Sequence, residues 1–162
     1  MELFIVRHGL AGDHDPLRWP NDADRPLTAE GQARFAATVK LLAERDFSPT
    51  IIATSPLVRC RQTADIISKG LPHKPAVIEL DELAPGSDLT EILTWTGQQP
   101  DKSIAWVGHA PDVGLLAAAM VGNGGAALRF KKGAVACIRF EDLIVRGRGE
   151  LLWLVTAKLL GC

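Results

Sequence analysis

Two histidines and a set of arginines carry the chemistry available to this sequence. Arg7-His8-Gly9 follows one short apolar run, Ser55-Pro56-Leu57-Val58-Arg59 follows a second, and Gly108-His109-Ala110-Pro111 follows a later one. Arginine is permanently charged, and its planar fork of donors fits phosphate oxygens. A histidine inside such a cluster is a candidate phosphoryl acceptor. Its unprotonated imidazole nitrogen attacks phosphorus in line, and water then hydrolyses the resulting phosphohistidine. Neighbouring arginines lower the imidazole pKa and favour the neutral form, while a bound dianion acts the other way. On this reading His8 is the nucleophile, arginines stabilise charge on the equatorial oxygens, and His109 binds one of those oxygens from the far side. Two histidines also suit a metal. Arg7 beside His8 opposes a second cation there, and neither His-x-His nor His-Glu-x-x-His spacing occurs.

These residues need elements to bring them together. Leu3–Val6 reads as a buried parallel strand ending at Arg7. Leu10–Pro26 is polar, proline-bearing loop. Thr28 caps a helix to about Arg45, with Phe35, Val39 and Leu42 on its apolar stripe. Thr50–Ala53 is a second strand, and Ser55-Pro56 is expected to open the next helix as N-cap and first helical residue. That helix faces Ala64 and Ile67 to the core and stops at Gly70. Ala76–Glu79 is a third strand. Ser87 or Asp88 caps a helix carrying Leu89, Ile92 and Leu93. Ser103–Val107 is a fourth strand, followed by a small-residue helix to about Val121. Ala134–Phe140 and Leu151–Ala157 flank Arg146-Gly147-Arg148-Gly149 as a terminal antiparallel hairpin. Alternating strands and helices predict an α/β fold: one three-layer α/β/α sandwich with a mostly parallel sheet, spanning residues 1–162. Ligands of such sheets bind beyond the strands' carboxyl ends, where Arg7, His8, the Ser55–Arg59 segment and His109 emerge.

Composition narrows the classes. The chain has 162 residues, 47% hydrophobic and 23% charged, with a net charge of -1. That suits one folded domain and argues against disorder. It offers no global basic field for nucleic acid. No apolar run reaches the ~20 residues of a membrane span. Three widely spaced cysteines, Cys60, Cys137 and Cys162, form neither a disulfide framework nor a zinc motif, so a cytoplasmic setting is expected.

The ordered motifs resemble the histidine phosphatase superfamily, also called phosphoglycerate-mutase-like. Arg7-His8-Gly9 resembles its signature, and Arg25-Pro26-Leu27-Thr28 through Gly31 the segment entering its first helix. Ser55-Pro56-Leu57-Val58-Arg59-Cys60-Arg61-Gln62-Thr63-Ala64 resembles the second arginine motif, and Gly108-His109-Ala110-Pro111 the second histidine motif. Only Leu80–Asp88 separates the third strand from the next helix, where larger branches carry a cap. Leu80-Asp81-Glu82-Leu83-Ala84-Pro85 with His109-Ala110-Pro111-Asp112-Val113-Gly114 is similar to the small SixA-type phosphohistidine phosphatases. The resemblance implies His8 as nucleophile, and Arg7, Arg25, Arg59 and His109 as a phosphate pocket able to hold phosphate or sulfate. It implies no metal and no cofactor. Its implied partner is a phosphohistidine-bearing signalling or phosphotransfer-relay protein.

Glu82 is the candidate proton donor, on a loop short enough to leave its reach in question. A weak or missing general acid favours a P–N substrate over a phosphate ester, because imidazole is a better leaving group than an alcohol. Two alternatives stand beside phosphohistidine: small phosphate monoesters such as sugar phosphates, and a non-catalytic phosphate-recognition module. Plainer roles exist for single residues. His8 and His109 also suit buried structural histidines, and Arg25 and Arg59 also suit surface ion pairs. Arg61 points away from Arg59. His14 and His73 are expected to face solvent, Lys131-Lys132 to be a solvated pair, Cys60 to fill core, and Asp88 to be a helix cap. Trp19 either lines the pocket mouth or shields its own loop.

Overall fold

The computed structural model describes residues 1–100, 102–122 and 124–162. Among these residues six strands form one sheet: β1 (Glu2–Arg7), β2 (Ile51–Thr54), β3 (Ala76–Glu79), β4 (Ser103–Gly108), β5 (Val135–Arg139) and β6 (Glu150–Val155). Their order is β3-β2-β4-β1-β5-β6. The first four strands of that order pair in parallel, whereas β5 is antiparallel to both β1 and β6. The predicted terminal hairpin is therefore present at one edge of the sheet.

Among the described residues four α-helices cover the faces: α1 (Ala29–Ala43), α2 (Val58–Gly70), α3 (Leu89–Gly97) and α4 (Asp112–Val121). The alternation of side chains along a strand sorts the core into two layers. Leu3 and Ile5 of β1 pack with Ile104 and Trp106 of β4 beneath Ile92 of α3 and Val113 and Met120 of α4. Phe4 and Val6 point the other way, with Ala105 and Val107, against Phe35 and Val39 of α1 and Ala64 and Ile67 of α2. This is the expected three-layer sandwich, and the chain between β3 and α3 is only Leu80–Asp88.

The connection after β1 leads to α1 on one face, and that after β4 leads to α4 on the other. The crevice between two adjacent strands whose exits diverge is where an α/β sheet holds its ligand. Thr28 caps α1 by accepting from Gly31 N–H, and Asp88 caps α3 by accepting from Thr90 and Glu91 N–H. One expectation fails. Ser55-Pro56 does not begin α2, which starts at Val58 with Leu57 in the cap position and no side-chain cap. The Ser55 hydroxyl is engaged elsewhere.

Candidate active site

β1 ends by delivering Arg7 and His8 into the crevice, and backbone pairing holds them there. Arg7 N–H donates to Ala134 O at 3.0 Å and His8 N–H to Gly108 O at 3.1 Å. Gly9 N–H donates to the buried Thr63 hydroxyl at 3.0 Å, and that hydroxyl donates to Arg59 O at 2.7 Å. Thr63 thus ties the exit of β1 to the first turn of α2, which carries Arg59.

The His8 and His109 rings lie 5.3 Å apart, centre to centre, and both are buried. His8 Nδ1 is 2.8 Å from Gly9 O. A carbonyl can only accept, so Nδ1 bears the hydrogen and Nε2 keeps its lone pair. Burial first, then the positive charges around it, push the His8 pKa down to about 3, against a partial rise from the Gly9 bond. Burial and Arg59 pull His109 down to about 4, opposed by Asp112 and Asp22. Both rings are therefore neutral near pH 7. His109 Nε2 is 2.8 Å from Ser55 Oγ, with Cys60 Sγ at 3.4 Å. Burial raises the Cys60 thiol to about 12, which keeps it a protonated packing group beside the ring.

Three arginines join them. Arg7 donates through Nη1 to Phe130 O at 2.9 Å. Arg59 donates through Nη1 to Asp22 O at 2.8 Å and reaches Asp22 Oδ2 through Nη2 at 3.1 Å. Arg25 donates from Nε to Asp22 Oδ1 at 2.7 Å and from Nη1 to Gly12 O at 2.6 Å. Arg7 and Arg59 each leave a buried Nε–H with no acceptor among the described residues. An orphaned charged donor is costly in a folded protein and calls for an explanation at the site. Both are charged N–H donors of the kind that suits an oxyanion.

Arg7, His8, Arg25, Arg59 and His109 line a single cavity of about 400 Å³, completed by Gly12-Asp13-His14, Pro85-Gly86, Ala110-Pro111-Asp112 and Lys132. Glu82 is not among the lining residues. It sits in a short 3₁₀ turn, Asp81–Leu83, whose Leu83 is anchored in the core. The loop reaches the cavity instead through Pro85 and Gly86, where Gly86 N–H donates to Asp112 Oδ2 at 2.8 Å. His14 is exposed, as expected, yet it lines the cavity and bonds Asp22 Oδ1 through Nδ1 at 3.1 Å. Lys132 also faces the cavity rather than solvent alone. Sequence reasoning missed Asp22, Asp112 and the cavity roles of His14 and Lys132. The one available signal was the placement of Asp112 in the first turn behind His109-Ala110-Pro111. Trp19 is not among the lining residues, and its ring packs under Arg18 at 5.4 Å. Arg61 faces away and pairs with Glu79 at 3.1 Å. Among the described residues no group of three or more His, Cys, Asp or Glu is placed to hold a metal, and no helix is long and apolar enough to cross a membrane.

A parallel-sheet crevice holding two neutral imidazoles among three guanidiniums defines a phosphoryl-handling α/β protein. Residues 3–114 match the model of the histidine phosphatase superfamily (branch 1), and the chain belongs to that superfamily, a family of phosphatases. It is 37% identical over 168 residues to an uncharacterized protein of Picosynechococcus sp. (strain PCC 7002), covering 99% of each chain. It is 26% identical to the phosphohistidine phosphatase SixA of Escherichia coli K12, over 94% of this chain and 92% of that one. A solved structure of the protein histidine phosphatase SixA complexed with tungstate superposes with a TM-score of 0.84 at 25% identity, covering 99% of each chain.

Proposed function

We propose that this chain is a phosphohistidine phosphatase acting on a phosphotransfer protein through a covalent phosphohistidine at His8. The observation that carries the proposal is the His8 Nδ1 to Gly9 O hydrogen bond inside the arginine cluster. It fixes the tautomer with Nε2 free to attack, and the depressed pKa keeps that nitrogen unprotonated. Arg7 and Arg59, with their unpaired Nε–H groups, bind the equatorial oxygens together with Arg25. His109, its Nε2 occupied by Ser55, offers Nδ1 to the same anion.

The reaction runs in two displacements. His8 Nε2 bonds to phosphorus as the bond to the substrate's imidazole nitrogen breaks, and its electron pair returns to that ring, which carries a proton on its other nitrogen and so leaves as neutral imidazole. Water then attacks phosphorus, the bond to His8 breaks with its electron pair returning to Nε2, and phosphate leaves with the water oxygen, the water's protons passing to phosphate oxygens and solvent. Positive charge held in place by guanidiniums does the electrostatic stabilisation in both steps, so the reaction requires no metal. The phosphohistidine substrate is supported by the likeness to SixA, by the short Leu80–Asp88 connection between the third strand and the next helix, and by a cavity lining that does not include Glu82. A substrate ring that leaves as neutral imidazole needs little help from an acid.

The test is phosphate release from a histidine-phosphorylated phosphotransfer domain and from small sugar phosphates, with EDTA present. Wild type is expected to favour the phosphoprotein, His8→Ala to lose turnover by at least about 10³-fold while remaining folded, and Glu82→Gln to match wild type. Faster turnover of the sugar phosphates would replace the substrate assignment with an ester, and full activity in His8→Ala would remove the nucleophile.

A further inference from the structure

We propose that Asp22 is a positioning residue that clamps Arg25 and Arg59 into a fixed two-guanidinium cradle for the anion. The inference rests on the phosphate pocket described above and adds a residue outside the motifs quoted in the sequence analysis.

Asp22 meets more cationic partners than any one of them needs. Its Oδ1 accepts from Arg25 Nε at 2.7 Å and lies 3.1 Å from His14 Nδ1. Its Oδ2 accepts from Arg59 Nη2 at 3.1 Å and Arg25 Nη2 at 3.4 Å. Its backbone carbonyl accepts from Arg59 Nη1 at 2.8 Å. Two arginines far apart in sequence are thus bound, by both nitrogen ends, to one residue. Side by side without an anion, two guanidiniums repel, and each long side chain gains freedom by swinging out. With Asp22 between them, the buried Arg59 and the partly buried Arg25 are held at the cavity before any ligand arrives. That is preorganisation, which lowers the ordering cost of binding.

The clamp holds Arg59 without exhausting it. A guanidinium has five N–H donors. Asp22 engages the two terminal nitrogens of Arg59, and Nε–H is left without an acceptor. The Arg25 bonds are the main reason the Asp22 carboxyl titrates well below the usual carboxylate range, so the clamp stays charged at any working pH. The two ends of the surrounding loop are anchored without Asp22. Leu27 N–H donates to Gln62 Oε1 at 2.8 Å, Thr28 N–H to Leu10 O at 2.9 Å, and Ala11 bridges to Leu27. Replacing the carboxylate is therefore expected to loosen the arginines and leave the fold in place.

The experiment is calorimetric binding of inorganic phosphate, with tungstate as a second probe, to wild type, Asp22→Asn, Arg59→Ala and the double variant. Thermal midpoints confirm folding, and the arginine Nε–H resonances report on side-chain order. Asp22→Asn is expected to weaken phosphate about tenfold or more and to broaden or lose those resonances. Because part of the effect of Asp22 runs through Arg59 and the rest through Arg25, the double variant is expected to lose less affinity than the product of the two single losses. Unchanged or tighter binding in Asp22→Asn, or losses that simply multiply in the double variant, overturns the clamp. Asp22→Ser gives the same comparison if the asparagine variant is unstable. Binding needs no turnover, so a wild type that binds phosphate but releases none from phosphohistidine would end the enzymatic reading and leave the clamp to be judged on its own numbers.

Discussion

His109 is held by an uncharged partner, and that choice has consequences. Ser55 is fully buried, and its hydroxyl lies 2.8 Å from His109 Nε2. A carboxylate in that place would favour the imidazolium form. A hydroxyl orients the ring and leaves its protonation to burial and to Arg59, which hold it neutral. Ser55→Ala is expected to lower kcat/KM about tenfold, because the ring loses its hydrogen-bonded orientation, and to cost about 1–3 kcal/mol from the unpaired buried nitrogen. Steady-state kinetics and thermal unfolding check both numbers, and an unaltered kcat/KM would mean that packing against Cys60 suffices to orient His109. The same scale shows what the sequence could reveal. Arg7, His8 and His109 were legible because they stand at the end of strands whose direction is fixed by their apolar pattern, and Arg59 because it stands in the first turn of the helix after such a strand. Asp22 and His14 were not, because their positions depend on how the irregular Leu10–Pro26 segment folds over the crevice. No periodicity encodes that path.

At the scale of elements, the apolar runs and caps placed the six strands and four α-helices to within a few residues, most plainly β1 and β4, whose burial on two faces leaves little choice of composition, whereas the short 3₁₀ turns carry no such pattern. The exception was instructive. Ser55-Pro56 has the letter pattern of a helix start, yet the helix begins at Val58, and the serine hydroxyl both accepts from Leu57 N–H at 3.4 Å just ahead of it and meets His109 Nε2 at 2.8 Å across the crevice. What actually fastens α2 to β1 is Thr63, which accepts from Gly9 N–H and donates to Arg59 O. Its sequence position, inside a helix, advertised nothing but a small buried residue. Thr63→Val keeps the shape and removes the hydroxyl, leaving the Gly9 N–H unpaired in the interior. The expected cost is about 1–3 kcal/mol of stability. Slower turnover should accompany it, since His8 and Arg59 are then referenced to separate elements. Urea unfolding with an unchanged m-value measures the first part, and a loss of stability without any loss of kcat would show that β1 and α2 keep their register without this bond.

Across the whole molecule, the site's electrostatics should be visible in how the fold responds to acid. In an unfolded chain His8 and His109 titrate near their ordinary value of 6.5, whereas in the fold they are pushed to about 3 and about 4. Between those limits the unfolded state binds more protons than the native state, so stability rises with pH. The contribution of the two rings is fully present above 6.5 and drains away as pH falls through the window below it. Asp22, whose carboxyl is also depressed, adds its share only below about 4, the ordinary carboxylate range. Acid should therefore weaken the protein in two stages, the first at a pH too high for carboxylates to explain. For the two buried rings together the effect is on the order of a few kcal/mol, which for a chain of this size is several degrees in Tm between pH 7 and pH 5. Inorganic phosphate should flatten that slope, because a dianion in the cavity favours the protonated rings and lifts their native pKa values toward the unfolded one. His8→Gln should flatten it as well by removing one of the two titrating groups. Thermal scans at pH 7, 6 and 5, with and without phosphate, decide the matter. A Tm independent of pH over that range would mean that water reaches these imidazoles freely, and that the neutral nucleophile is not a product of burial.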